Sequence, residues 1–245
     1  MYEILTVAIA ITLTTSVFVC VKWRNVRCVG KTPMSLLAFS AILFTSGLDV
    51  GLIMFPLVEF PVYATEEAYS FTNPLAIEFG FWGFLVWTFY FLTTFYFCVV
   101  EPKLGLFEYR PIRWINNLII IATCAFTAYL FLSYVPSYIA GISLFQQYLL
   151  VGLIIFIGVF SSTDIRYIKL LSLGSSALFI VLTLVMLGAS GTSVSGYLES
   201  MANLTGYFEN IHRFISPISD YHGWYLSWWF AWSIMIGQFV ARFVC

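Results

Sequence analysis

YLSWWFAWSIMIGQFVAR, Tyr225–Arg242, is an eighteen-residue run whose single ionised side chain, Arg242, stands at its end. Wound as a helix at 1.5 Å per residue it extends about 27 Å, close to the roughly 30 Å hydrocarbon core of a bilayer. The run reads as the heart of a membrane span, and its three tryptophans with Trp224 just before it, four in nine positions, need a reason. Rings at an interface anchor a helix, which suits Trp224 at the outer end. Trp232 sits about 12 Å deeper than that. Trp228 and Trp232 are four apart and share a face, with Trp229 turned about 100° away. Such deep indoles form either a packed aromatic core or a box whose negative ring faces bind a quaternary ammonium group.

The rest of the chain is built for the same medium. Of its 245 residues 61% are hydrophobic, 20% aromatic and only 9% charged, against about 25% charged in soluble domains. A net charge of -1 leaves no basic face for nucleic acid. The five cysteines, Cys20, Cys28, Cys98, Cys124 and Cys245, show no metal-ligand spacing, and His212 and His222 fall in one late region. Neither a metal, a haem nor another cofactor is expected, and no Ser/His/Asp arrangement suggests an enzyme.

Seven apolar segments have spanning length, near 2–21, 35–58, 74–100, 114–133, 144–161, 170–189 and 221–243. The first has neither a basic leader nor a small-residue cleavage site and reads as a retained helix. Lys22, Arg24, Arg27 and Lys31 follow the first span; Lys103, Arg110 and Arg113 the third; Arg166 and Lys169 the fifth; Arg242 the seventh. Basic residues mark the inner side, so the N-terminus is expected outside and the C-terminus inside. Glu59, Glu66, Glu67, Glu199, Glu209 and Asp220 fall in the outer connections. Between the sixth and seventh spans, Tyr197, Leu198, Met201, Leu204, Tyr207, Phe208, Ile211 and Phe214 recur at helical spacing. This stretch, 190–220, predicts an amphipathic helix lying on the outer interface.

The second span carries SGLDVGLIMFPLVEFP, Ser46–Pro61. Gly47, Gly51 and Pro56 weaken a helix there, and Asp49 places a carboxylate in the hydrocarbon. Either the helix breaks to coordinate an ion with loose backbone carbonyls, or the two glycines let a neighbouring helix approach closely.

These stretches resemble the betaine/choline/carnitine transporter family. ILFTSGLDVGLIMFPLVEFP (42–61) is similar to its MLFSAGMGIGLxFxGVxEP signature, FGFWGFLVWTFY (79–90) to FFHWGxHxWAIY, SSTDIRYIKLLS (161–172) to SGLDKGIKxLS, and the opening run to YWAWWISWSPFVGMFIAR. The resemblance implies twelve-span relatives built from two inverted five-helix repeats. Residues 2–34 would then be an extra helix and basic loop, 35–189 the first repeat, and 221–245 the broken helix opening the second. It implies an ammonium box of Trp82, Tyr90, Trp228, Trp229 and Trp232, and ion-coupling groups at Ser46, Gly47, Asp49 and Gly51. Three residues depart from the pattern: Asp49 stands at the middle glycine of the triplet, Phe81 at the signature histidine and Ile234 at a helix-breaking proline. The family's last four spans have no counterpart here, and one repeat cannot rock against another that is absent.

Two functions follow as expectations. One is a transporter-derived, non-catalytic structural subunit of a larger membrane complex. The other is one half of a split, ion-coupled transporter whose second repeat comes from a partner subunit. Partners are therefore other membrane subunits and lipid. Abundant phenylalanine and tyrosine with little charge point to a mitochondrial inner membrane before a bacterial plasma membrane.

Overall fold

The structure, a computed structural model, describes residues 2–47 and 59–244, with the side chain of Trp82 among those outside the description. Asp49 and Gly51 also lie outside it. Every regular element among the described residues is helical. The long helices are α1 (Tyr2–Lys22), α2 (Leu36–Gly47), α3 (Pro74–Leu104), α4 (Arg110–Tyr138), α5 (Leu144–Ser161), α6 (Ile165–Ala189) and, last in the chain, α9 (Asp220–Ala241).

Four of these, α1, α3, α5 and α6, are long and apolar enough to cross a membrane. Helix α2 is apolar but shorter and runs up to the edge of the described residues. Helices α4 and α9 have the length, at 29 and 22 residues. Arg110, Arg113, Asn116 and Asn117 in the first, and Asp220, His222 and Gln238 in the second, lower their hydropathy.

Local chemistry sets the helix starts. Asn73 caps α3 by accepting from the Ala76 N–H at 3.0 Å, with Pro74 in the first turn. Ser143 and Gln146 form a reciprocal capping box at the head of α5. Asp164 caps α6, and the Arg166 guanidinium beside it, 2.8 Å away, holds its carboxyl below the usual range. Gly191, with φ of 64°, ends that helix in a left-handed turn.

Helices α3 and α9 form the centre, packed along each other, with α1 laid against α3 and α4 against α9. Their approach is close. A Cβ on Gly237 would meet the Thr93 Cβ at 2.5 Å, so no larger residue suits that crossing. One turn away Phe89 stacks on Phe230 at 4.1 Å between ring centroids. Asn116 and Gln238 exchange side-chain amide hydrogen bonds across α4 and α9, satisfying two polar groups in an apolar setting. Helix α3 is not a regular α-helix throughout: Phe79–Val86 and Tyr96–Val100 are wound with wider π turns, a rare geometry that recurs at functional sites.

The second structural group is a hairpin of α5 and α6 resting on α2. Its spanning windows are only 11% and 6% buried. Leu153, Phe156, Leu178 and Val185 stand exposed along it.

The chain ends are tied at opposite poles. At one, the Tyr2 hydroxyl donates to Asp220 at 2.7 Å and Thr6 pairs with Ser216. At the other, the basic loop after α1 pairs with the end of α9, through Gly30 N–H to Val244 O and Thr32 N–H to Arg242 O, both 2.9 Å. A Cβ on Gly30 would run into the Arg242 carbonyl.

The stretch expected to form one amphipathic helix is divided. It comprises α7 (Val194–Ala202), α8 (Thr205–Glu209) and a 3-10 turn at Ile211–Ile215. Asn203 and Asn210 stand at the two breaks. Asn203 offers its carbonyl to the Asn73 side chain at 2.8 Å, and Gly206 sits hard against Thr72. Docking on the head of α3 thus bends a pattern that periodicity alone reads as continuous.

Candidate functional site

The described residues of the expected box lie on the α3–α9 contact. Trp229 is fully buried, Trp232 and Tyr90 are buried, and Trp228 is partly buried. Trp224 is 41% exposed and packs edge-on against Phe126 at 5.4 Å. The rings of the cluster touch one another. Trp228 lies 4.8 Å from Trp229 and 5.2 Å from Trp232, Trp229 lies 6.2 Å from Trp232, and Tyr90 lies 6.1 Å from Trp229. These are separations of directly packed aromatic pairs, about 4.5–7 Å. A cation held between two ring faces needs each centroid within about 6 Å of itself, which spreads opposed rings well beyond contact.

Of the expected ion-coupling groups, Ser46 and Gly47 are described and close α2. The Ser46 hydroxyl donates back to the Leu43 carbonyl at 2.8 Å. Beside it opens a cavity of about 670 Å³ between α2, α5, α6 and α9, into which Thr45, Ser46, Ser161, Ser162, Ser172 and Ser175 contribute polar groups. Thr45 donates to Ser172 across it at 3.2 Å.

A second constellation sits at the pole of Asp220, next to the tryptophans. Glu59 is 2% exposed, and its carboxylate accepts from Tyr63 at 2.8 Å and from Tyr221. Glu78, in the first turns of α3, is 6% exposed. No hydrogen-bond partner reaches either of its oxygens among the described residues. His222 is fully buried, its Nε2 3.4 Å from the Tyr63 hydroxyl. Tyr63 gives its one proton to Glu59, so it can only accept from the imidazole, which makes Nε2 the protonated nitrogen. Tyr225 packs edge-on against Trp229, 5.9 Å between ring centroids, and joins this polar cluster to the ring cluster.

Its framework is aromatic. Phe81 lies 3.9 Å from the His222 ring, and Tyr69 packs edge-on to the same imidazole at 4.9 Å. Tyr69 also bonds the α9 cap Ser219 at 2.7 Å, and burial pushes its phenol up from the ordinary tyrosine range. Phe81, which the resemblance would set at a signature histidine, packs against the His222 ring. Among the described residues, no three His, Cys, Asp or Glu side chains converge as a metal ion would require.

Sequence reasoning placed Glu59 in an outer loop, His222 in a loop region, and passed over Glu78. The signal for Glu78 was present: AIEFGFWGF is an apolar run with one carboxylate in it, and an ionisable residue in such a run marks a site by default. The burial of Glu59 follows from its bonds to Tyr63 and to Tyr221 of α9, which no periodicity foretells.

No known protein family's model matches this chain, and neither a curated protein nor a solved structure is significantly similar to it.

Proposed function

We propose that the chain is a transporter-derived membrane subunit that contributes structure, not chemistry, to a larger membrane complex, such as one in a mitochondrial inner membrane. The observation that carries this reading is the mutual contact of Trp228, Trp229, Trp232 and Tyr90. Rings in direct contact with one another supply packing energy to the α3–α9 crossing. In this reading seven spans cross the membrane with the N-terminus outside. It is supported by the grouping of the basic loop with Arg242 at one pole and of Tyr2 with Asp220 at the other.

The reading is tested with labelled betaine and choline on the native membrane complex. It predicts no saturable binding, and equal background for Trp228→Leu and Trp232→Leu. Saturable binding lost in both variants overturns it.

The alternative, half of a split ion-coupled transporter, is favoured by the hydroxyls that the largely apolar cavity beside Ser46 carries. In that case a partner chain supplies the second repeat, and the aromatic cluster opens when that chain docks.

A further inference from the structure

We propose that the groove between the feet of α1 and α3 binds an anionic phospholipid of the surrounding membrane. One acyl chain lies along the groove, and the phosphate rests at its mouth against Lys103, within the positive field of Lys22 and Arg24. The inference goes beyond the reading above and needs only that α1 and α3 cross a membrane.

Three observations carry it. The first is the groove itself, an open-sided space of about 240 Å³ walled by Trp23, Phe95, Val99, Val100 and Leu104, with Lys103 as the ionised side chain among them. A pocket for a whole small molecule holds roughly 300–1,000 Å³, so this one suits a stretch of hydrocarbon whose head stays outside. The second is how the walls are made. Val99 and Val100 belong to the π turn Tyr96–Val100, and Gly105, with φ of 64°, ends α3 directly after Lys103 and Leu104. Trp23, the residue after α1, closes the other side: its ring lies 5.6 Å from Phe95 and edge-on to Phe18 at 5.4 Å, and it is still exposed. A tryptophan at the end of a spanning helix marks the level of the headgroups, so the groove opens where a phosphate would stand.

The third observation is charge. Lys22, Arg24 and Lys103 are exposed, and the one ion pair among the described residues lies elsewhere, between Arg166 and Asp164. Glu101 does not neutralise Lys103, because its oxygens accept from the Tyr96 hydroxyl at 2.8 Å and the Phe107 N–H at 2.6 Å. Glu108 forms no ion pair with it either. Basic side chains directly beyond spanning helices attract anionic headgroups, and basic pockets between helices hold them. A free phosphate would use the cations and leave the apolar walls bare. An acidic peptide would have to set its backbone polar groups against those walls. A phospholipid matches both parts at once.

The experiment is photo-labelling of the native membrane complex with two lipids that carry the same diazirine acyl chain, one a phosphatidylglycerol and one a phosphatidylcholine. Cross-linked peptides are then mapped by mass spectrometry. The expected result is that phosphatidylglycerol labels Trp23 and the 95–104 stretch in preference to phosphatidylcholine, and that unlabelled phosphatidylglycerol competes while inorganic phosphate does not. Lys103→Gln should lower this labelling about fivefold, the effect of one cation beside an anionic lipid. Lys169→Gln, which removes a charge from α6 instead, should leave it unchanged. Equal labelling by the two lipids overturns the proposal without reference to any variant, as does competition by inorganic phosphate. A groove that neither lipid labels, because a partner subunit fills it, overturns it too, and so does full labelling in Lys103→Gln.

Discussion

The α3–α9 pair and the α5–α6 hairpin share a composition and differ in almost everything else. Around α3 and α9 the rings, carboxylates and an imidazole are interlocked, and a single methyl at Gly237 would collide. Along α5 and α6 leucine, isoleucine and phenylalanine face outward, and Gly152, Gly158, Gly174 and Gly188 have open space where a Cβ would stand. In lipid an exposed leucine costs nothing, since the tails are as apolar as the side chain. The polar groups are another matter, and they are gathered where protein can satisfy them. Apolar content thus marks the whole chain as a membrane protein, while side-chain polarity and ring packing mark which part of it is specified in detail.

That contrast can be broken by substitution, with stability read as the fraction remaining folded on heating in mild detergent. Trp229→Ala empties the site of the largest fully buried side chain and should cost about 3–5 kcal/mol. Gly237→Ala adds one methyl against Thr93 and should cost about 1–3 kcal/mol, because α3 and α9 must separate to admit it. Tyr221→Phe removes one of the two hydroxyl donors to Glu59 and should cost about 1–3 kcal/mol. Leu178→Ala, on the bare face of α6 where the side chain is 68% exposed, should stay within about 0.5 kcal/mol. If Leu178→Ala matched Trp229→Ala, the hairpin would not be the peripheral element described above.

The helices on both sides of this division were legible in the sequence; the division itself was not. Helix positions follow from apolar run length, and the poles at which the chain ends meet agree with the distribution of Lys and Arg. That Trp224 stands apart from the deeper rings followed from its distance along the helix. The aromatic cluster was legible as a set of residues but not as an arrangement, because spacing on one helix says which rings share a face and nothing about the gap between them. Tyr90 and Trp229 meet only through the α3–α9 crossing, which Gly237 permits. The amphipathic stretch after α6 was read as one helix because its periodicity survives the breaks at Asn203 and Asn210. Glu78 could have been found by the argument that singles out Asp49, since both are carboxylates in apolar runs. Glu59 could not, because an outer loop rich in acid looks the same whether its carboxylates are wet or buried.

The account's central claim, a structural subunit within a larger membrane complex, is tested most directly by the mass and composition of the native complex purified in mild detergent. The account predicts that the chain co-purifies, in fixed ratio, with many unrelated membrane subunits. A small complex with one companion of about four or five spans resembling the second transporter repeat would contradict it and establish the split transporter instead.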